Sequence, residues 1–127
     1  MIAQPWTVKW GKMLLGAGSN DKVLGTRLEL VALKDPFTAR PGTTIPVKLL
    51  YDGKPFAGAD IAYTNGLKPL PDSQQPTVKT GADGVAQIPV GKSGPVLLTT
   101  DVMTQPAHAA LATADHLYAS LAYNTAQ

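Results

Sequence analysis

The stretch Ile45-Pro46-Val47-Lys48-Leu49-Leu50-Tyr51-Asp52-Gly53-Lys54-Pro55-Phe56-Ala57-Gly58-Ala59-Asp60-Ile61 decides the fold. Ile45, Val47, Leu49 and Tyr51 recur at every second position, the period of a half-buried strand. Asp52-Gly53-Lys54-Pro55 turns the chain, because Gly tolerates positive φ and Pro fixes φ near about −65°. Phe56 to Tyr63 then returns as a second extended segment.

Outward from this unit the same signals repeat. Upstream, Leu28, Leu30 and Ala32 share one face of a strand over Thr26 to Leu33, with Arg27, Glu29 and Val31 on the other. Asp35-Pro36-Phe37 stops it, since the residue before a proline is driven toward extended geometry, and Phe37 is expected to fold back as an apolar plug. Further upstream, Trp6, Val8 and Trp10 alternate in a first strand. Downstream, Pro76 to Thr80 and Val85 to Val90 flank Gly81-Ala82-Asp83-Gly84, where Asp-Gly predicts a hairpin. Strands follow at Pro95 to Val102 and at His116 to Tyr123. Thr104 to Asp115 reads as a loop. Seven to eight short strands without a confident helix predict an all-β fold. The expected form is an antiparallel β-sandwich of transthyretin- or immunoglobulin-like type. Alternation places Leu28, Leu30, Val47, Leu49, Ile61, Ile88, Val96, Leu98 and Leu121 in its core.

Composition bounds the function. The length of 127 residues predicts one domain over residues 1–127, large enough for a core without staples. A net charge of +2 and the absence of an arginine cluster argue against nucleic acid. No apolar run approaches the roughly 20 residues of a membrane helix. The lack of cysteine excludes disulfides and thiolate metal sites.

Few residues point to chemistry. Ser19, Ser73, Ser93 and Ser120 lie outside any Gly-x-Ser-x-Gly motif. Gly16-Ala17-Gly18 lacks the lysine and helix of a phosphate loop, so no cofactor is expected. No enzymatic activity is expected either. His108, His116 and Asp115, with Asp101 nearby, make a candidate nitrogen-and-oxygen metal site, since imidazole suits nickel, copper and zinc. Their spacing matches no compact ligand motif, so the two histidines read first as a solvated loop histidine and a half-exposed strand histidine, and as ligands only second. Trp6, Trp10 and Tyr118, from the two ends of the chain, are a candidate aromatic surface for carbohydrate or a partner domain.

Leu28-Glu29-Leu30-Val31-Ala32-Leu33, Asp35-Pro36-Phe37 and Arg40-Pro41-Gly42 begin a longer pattern. It continues through Val47 to Ala59, then Asp83-Gly84-Val85-Ala86, Gly94-Pro95-Val96-Leu97-Leu98 and Asp115 to Leu121. In that order these pieces resemble the C-terminal part of a family of periplasmic proteins catalogued as domain of unknown function 4198, which is linked to nickel or cobalt uptake. The turn pieces also occur in prealbumin-like and carboxypeptidase-regulatory-like sandwiches. The resemblance implies a periplasmic or secreted location and an accessory role. Family members usually carry a signal peptide and an N-terminal β-domain, so the chain is expected to be the C-terminal fragment of a longer secreted protein. Its expected partners are that missing N-terminal domain and a membrane transporter component. Where many members have a histidine after the strand matching Val96 to Thr100, this chain reads Asp101-Val102-Met103. The expected function is therefore a non-catalytic module serving transition-metal handling, with only weak nickel binding by the chain alone. The alternative is a transthyretin-like interaction or carbohydrate-binding domain without metal.

Overall fold

The computed structural model describes residues 4–14, 18, 21–65, 75–91, 94–104 and 112–125. At 4–6, 65, 104 and 112–115 it describes the backbone alone.

Within these residues the chain forms nine strands and one short 3₁₀ turn, packed as two sheets on a common core. The strands are β1 (Gln4–Met13), β2 (Leu28–Ala32), β3 (Thr44–Tyr51), β4 (Lys54–Pro55), β5 (Asp60–Asn65), β6 (Thr77–Lys79), β7 (Val85–Pro89), β8 (Gly94–Thr104) and β9 (Ala112–Thr125). One sheet runs β1-β9-β8-β5-β6. The other places β3 between β2 on one edge and β7 and β4 on the other. All pairings are antiparallel except β1 with β9. The all-β sandwich expected from sequence is thus present.

The period-two pattern of the central stretch builds the core. Ile45, Val47 and Leu49 of β3 are fully buried and share one core cluster with Leu98 of β8 and Leu117 and Leu121 of β9. Of the expected core residues, only Val96 is not fully buried, and it packs against the cluster. Phe37 also packs there, from a 3₁₀ turn over Pro36–Thr38. Asp35 caps that turn by accepting the Phe37 N–H at 3.0 Å.

Two local expectations are corrected. Asp52 and Gly53 both have positive φ, so β3 and β4 form a tight two-residue hairpin, but β4 lasts only Lys54–Pro55. The chain then leaves its sheet, and β5 pairs with β8 and β6 in the other. Likewise the Asp83-Gly84 turn does not close a hairpin: β6 belongs to the five-stranded sheet and β7 pairs with β3. The reason lies at a shared corner, where the two crossing segments bond to each other. Gly58 N–H donates to Thr80 O at 2.9 Å and Thr80 N–H donates to Ala59 O at 2.8 Å. The buried Thr80 hydroxyl donates to Phe56 O at 2.9 Å and accepts from Ala59 N–H at 3.0 Å. The corner satisfies its own backbone groups, so neither segment needs a hairpin partner there.

Candidate functional site

The ladder of β8 with β9 carries the candidate chemistry. Along β9, Leu117, Ala119, Leu121 and Tyr123 point into the core, so His116, Tyr118 and Ser120 stand on the outer face of the five-stranded sheet. On β8, Leu98, Thr100 and Val102 are buried, which turns Thr99, Asp101 and Met103 outward. Register then sets neighbours: Asp101 lies opposite Tyr118, and Met103 opposite His116.

His116 Nε2 stands 2.6 Å from Asp101 Oδ2, and His116 Nδ1 stands 3.2 Å from the Tyr118 hydroxyl. A carboxylate only accepts, so Nε2 carries the proton it donates to Asp101. The Tyr118 O–H then donates to Nδ1. The His116 and Tyr118 rings lie 4.3 Å apart, and Lys9 Nζ of β1 sits 5.1 Å from the centre of the Tyr118 ring. The carboxylate of Asp101 is more than half exposed and the imidazole about a quarter. A hydrogen bond so exposed contributes only about 0.5–1.5 kcal/mol, so stability gives little reason for the arrangement.

Beside this chain of groups runs an open cleft of about 340 Å³. Asp60, Gln75, Thr77, Thr99, Asp101 and Tyr118 line it, together with Ala62 and Thr100. Asp60 is held by Lys79 at 3.2 Å. The lining is carboxylate, hydroxyl and amide with one aromatic ring, suited to a small polar ligand.

The structure brings His116 together with Asp101 and Tyr118. Asp115 precedes His116 in β9, but its side chain is not among those described, and His108 lies outside the described residues. Among the described residues no three His, Cys, Asp or Glu side chains converge as for a metal ion. Of the candidate aromatic residues, Trp10 and Tyr118 do not share one face. Trp10 is half-buried against the core while Tyr118 faces outward, because the parallel register sets Lys9, not Trp10, beside Tyr118. The side chain of Trp6 is not among those described. Alternation alone pairs His116 with Tyr118. The approach of Lys9 and Met103 needs the β1–β9 and β8–β9 registers, which no local signal encodes.

A second polar group is buried at the sandwich edge. Glu29 of β2 and Lys12 of β1 form an ion pair at 2.6 Å, with side chains 2% and 10% exposed. Glu29 also accepts the N–H groups of Leu24 and Gly25. Burial alone would raise the Glu29 carboxyl, but the Lys12 hydrogen bond, the two amides and the Lys12 charge outweigh it and hold it below the usual carboxylate value. Every acceptor and donor in this group is engaged internally, so it reads as structure rather than as a site.

The fold and this outer-face ladder define a β-sandwich domain with a polar groove on one sheet. The pattern of the family described as domain of unknown function (DUF4198) matches residues 7–104, and the chain belongs to that family. No curated protein and no solved structure matches it. No helix among the described residues is long and apolar enough to cross a membrane.

Proposed function

We propose that this chain is a non-catalytic β-sandwich module of a periplasmic or secreted protein that serves transition-metal uptake or handling, with nickel or cobalt as cargo. The observation that carries the reading is the imidazole–carboxylate pair of His116 and Asp101, set on an open sheet face beside a polar cleft. Imidazole and carboxylate are donors that such cations accept. The resemblance to periplasmic proteins of nickel and cobalt uptake points the same way. An N-terminal domain of the same protein and a membrane transporter component are the proposed partners. His116 is engaged by a carboxylate and a phenol, and Ser120 lies outside that chain of hydrogen bonds, which supports binding rather than nucleophilic chemistry.

Two protein ligands make a weak site. Calorimetry with Ni²⁺ and Co²⁺ at neutral pH should give saturable binding weaker than about 1 μM, lost in His116→Ala. An absence of saturable binding up to about 1 mM would overturn the metal reading. The second reading, a transthyretin-like interaction or carbohydrate-binding domain without metal, draws on the hydroxyl and carboxylate lining of the cleft. Shifts of cleft amides in NMR titrations with soluble oligosaccharides, without metal binding, would favour it.

A further inference from the structure

Met103 is a large apolar side chain left 55% exposed on the outer face of β8. Register sets it directly opposite His116. Directly opposed residues of an antiparallel ladder hold their Cβ atoms about 4.5–5.5 Å apart, within reach of one ion for a thioether and an imidazole. Asp101 precedes Met103 by two positions on the same face, and its Oδ2 is 2.6 Å from His116 Nε2. A sulfur, a nitrogen and an oxygen donor thus share one face of one ladder.

We propose that Met103, His116 and Asp101 form a copper site that binds Cu(I), with the Met103 sulfur and His116 Nε2 as principal donors and Asp101 as the third. The proposal rests on the reading above only in taking His116 and Asp101 as ligands. Three features favour Cu(I) over a dication. Thioether sulfur is a soft donor that selects Cu(I), whereas nickel draws more from nitrogen. The chain has no cysteine, so methionine is its only soft ligand. Lys9, which sits over the Tyr118 ring beside the site, repels a monocation less than a dication.

The hydrogen bonds around His116 fit the change. When the metal takes Nε2, a neutral imidazole keeps its proton on Nδ1. The Tyr118 oxygen, 3.2 Å away, then accepts that proton's hydrogen bond and fixes the ring, as outer-shell partners of metal-bound histidines do. Asp101 is released from Nε2–H and turns to the same ion. Met103 and Asp101 are both more than half exposed, which leaves the ion an open approach.

The test titrates the whole chain with Cu(I) against the chromophoric chelator bicinchoninate without oxygen, and with Ni²⁺ in parallel by calorimetry. Met103→Leu keeps volume at an exposed position and should fold. It is expected to weaken Cu(I) binding by at least about tenfold, which is 1.4 kcal/mol, and to leave Ni²⁺ unchanged. His116→Ala should lose both metals. Wild-type Cu(I) affinity in Met103→Leu, or a native chain that fails to compete for Cu(I), would overturn the proposal. Cu(I) binding without Ni²⁺ binding would uphold it and sink the nickel reading. Ni²⁺ binding alone would do the reverse.

Discussion

At Gly84 there is no room for a side chain. A Cβ built there would stand 2.8 Å from the Pro55 Cβ and 2.9 Å from the Phe56 nitrogen, and φ is +76°. The obstacles are the last residue of β4 and the first of the segment that leaves it, so Gly84 is where the two crossings touch. Gly84→Ala must move backbone as well as adopt a left-handed conformation. It should cost about 1–3 kcal/mol from overpacking, with about 1–2 kcal/mol more from the handedness. Gly42 also has positive φ, yet nothing lies within 4 Å of its Cβ position. Gly42→Ala should therefore cost only the second amount, about 1–2 kcal/mol. Urea midpoints of the two variants separate the terms, and equal losses would refute the crowding. The positive φ of Gly84 was legible in the Asp-Gly pair, whereas its crowding was not. Pro55 and Phe56 come from a distant part of the chain, and only the corner brings them there. The candidate site divides in the same way. Alternation sets His116 and Tyr118 on one face, but Asp101 and Met103 reach His116 only through the β8–β9 register.

Among the elements, β3 was readable because Ile45, Val47 and Leu49 on one of its faces are fully buried while Pro46 and Lys48 on the other are only partly so. A one-residue slip would turn Ile45, Val47 and Leu49 out of the core. The destination of the next strand was not readable in this way, since β5 and β6 would alternate equally well in either sheet. What sends them across is the corner around Thr80. Thr80 is 3% exposed, and its hydroxyl serves the Phe56 carbonyl and the Ala59 amide together. Thr80→Val keeps the shape and removes both bonds, leaving two backbone groups to desolvation. Each group so orphaned costs about 1–3 kcal/mol, so the variant should lose at least that much stability. Denaturant unfolding measures the loss, and amide exchange should show it concentrated at Ala59. A neutral outcome would mean that the backbone bonds of Gly58 and Thr80 hold the corner alone. The parallel pairing of β1 with β9 was equally hidden. A strand's own residues do not state the direction of its neighbour, and reading Trp10 and Tyr118 onto one surface depended on that direction.

For the molecule as a whole, the Lys12–Glu29 pair ties the edge strand β1 of one sheet to the edge strand β2 of the other. Lys12 also donates to the carbonyls of Lys22 and Leu30, each at 3.0 Å, and so fastens the connecting segment as well. A buried pair adds little over an apolar replacement of both partners, but breaking it from one side leaves an uncompensated charge, at about 3–5 kcal/mol. Glu29→Gln should show that loss at neutral pH. The acid limb carries the sharper test. The folded-state carboxyl of Glu29 is held below its ordinary value, so its contribution is present above the unfolded value and is lost as pH falls through the folded one. Wild-type urea midpoints should accordingly decline as pH falls below the ordinary glutamate value of about 4.3, and the other native carboxylates add to that decline. Glu29→Gln has no such group to protonate at the edge, so its midpoint should fall less steeply over the same interval. Parallel slopes for the two proteins would show that the pair stands intact through acid and that the sheets are held together without it.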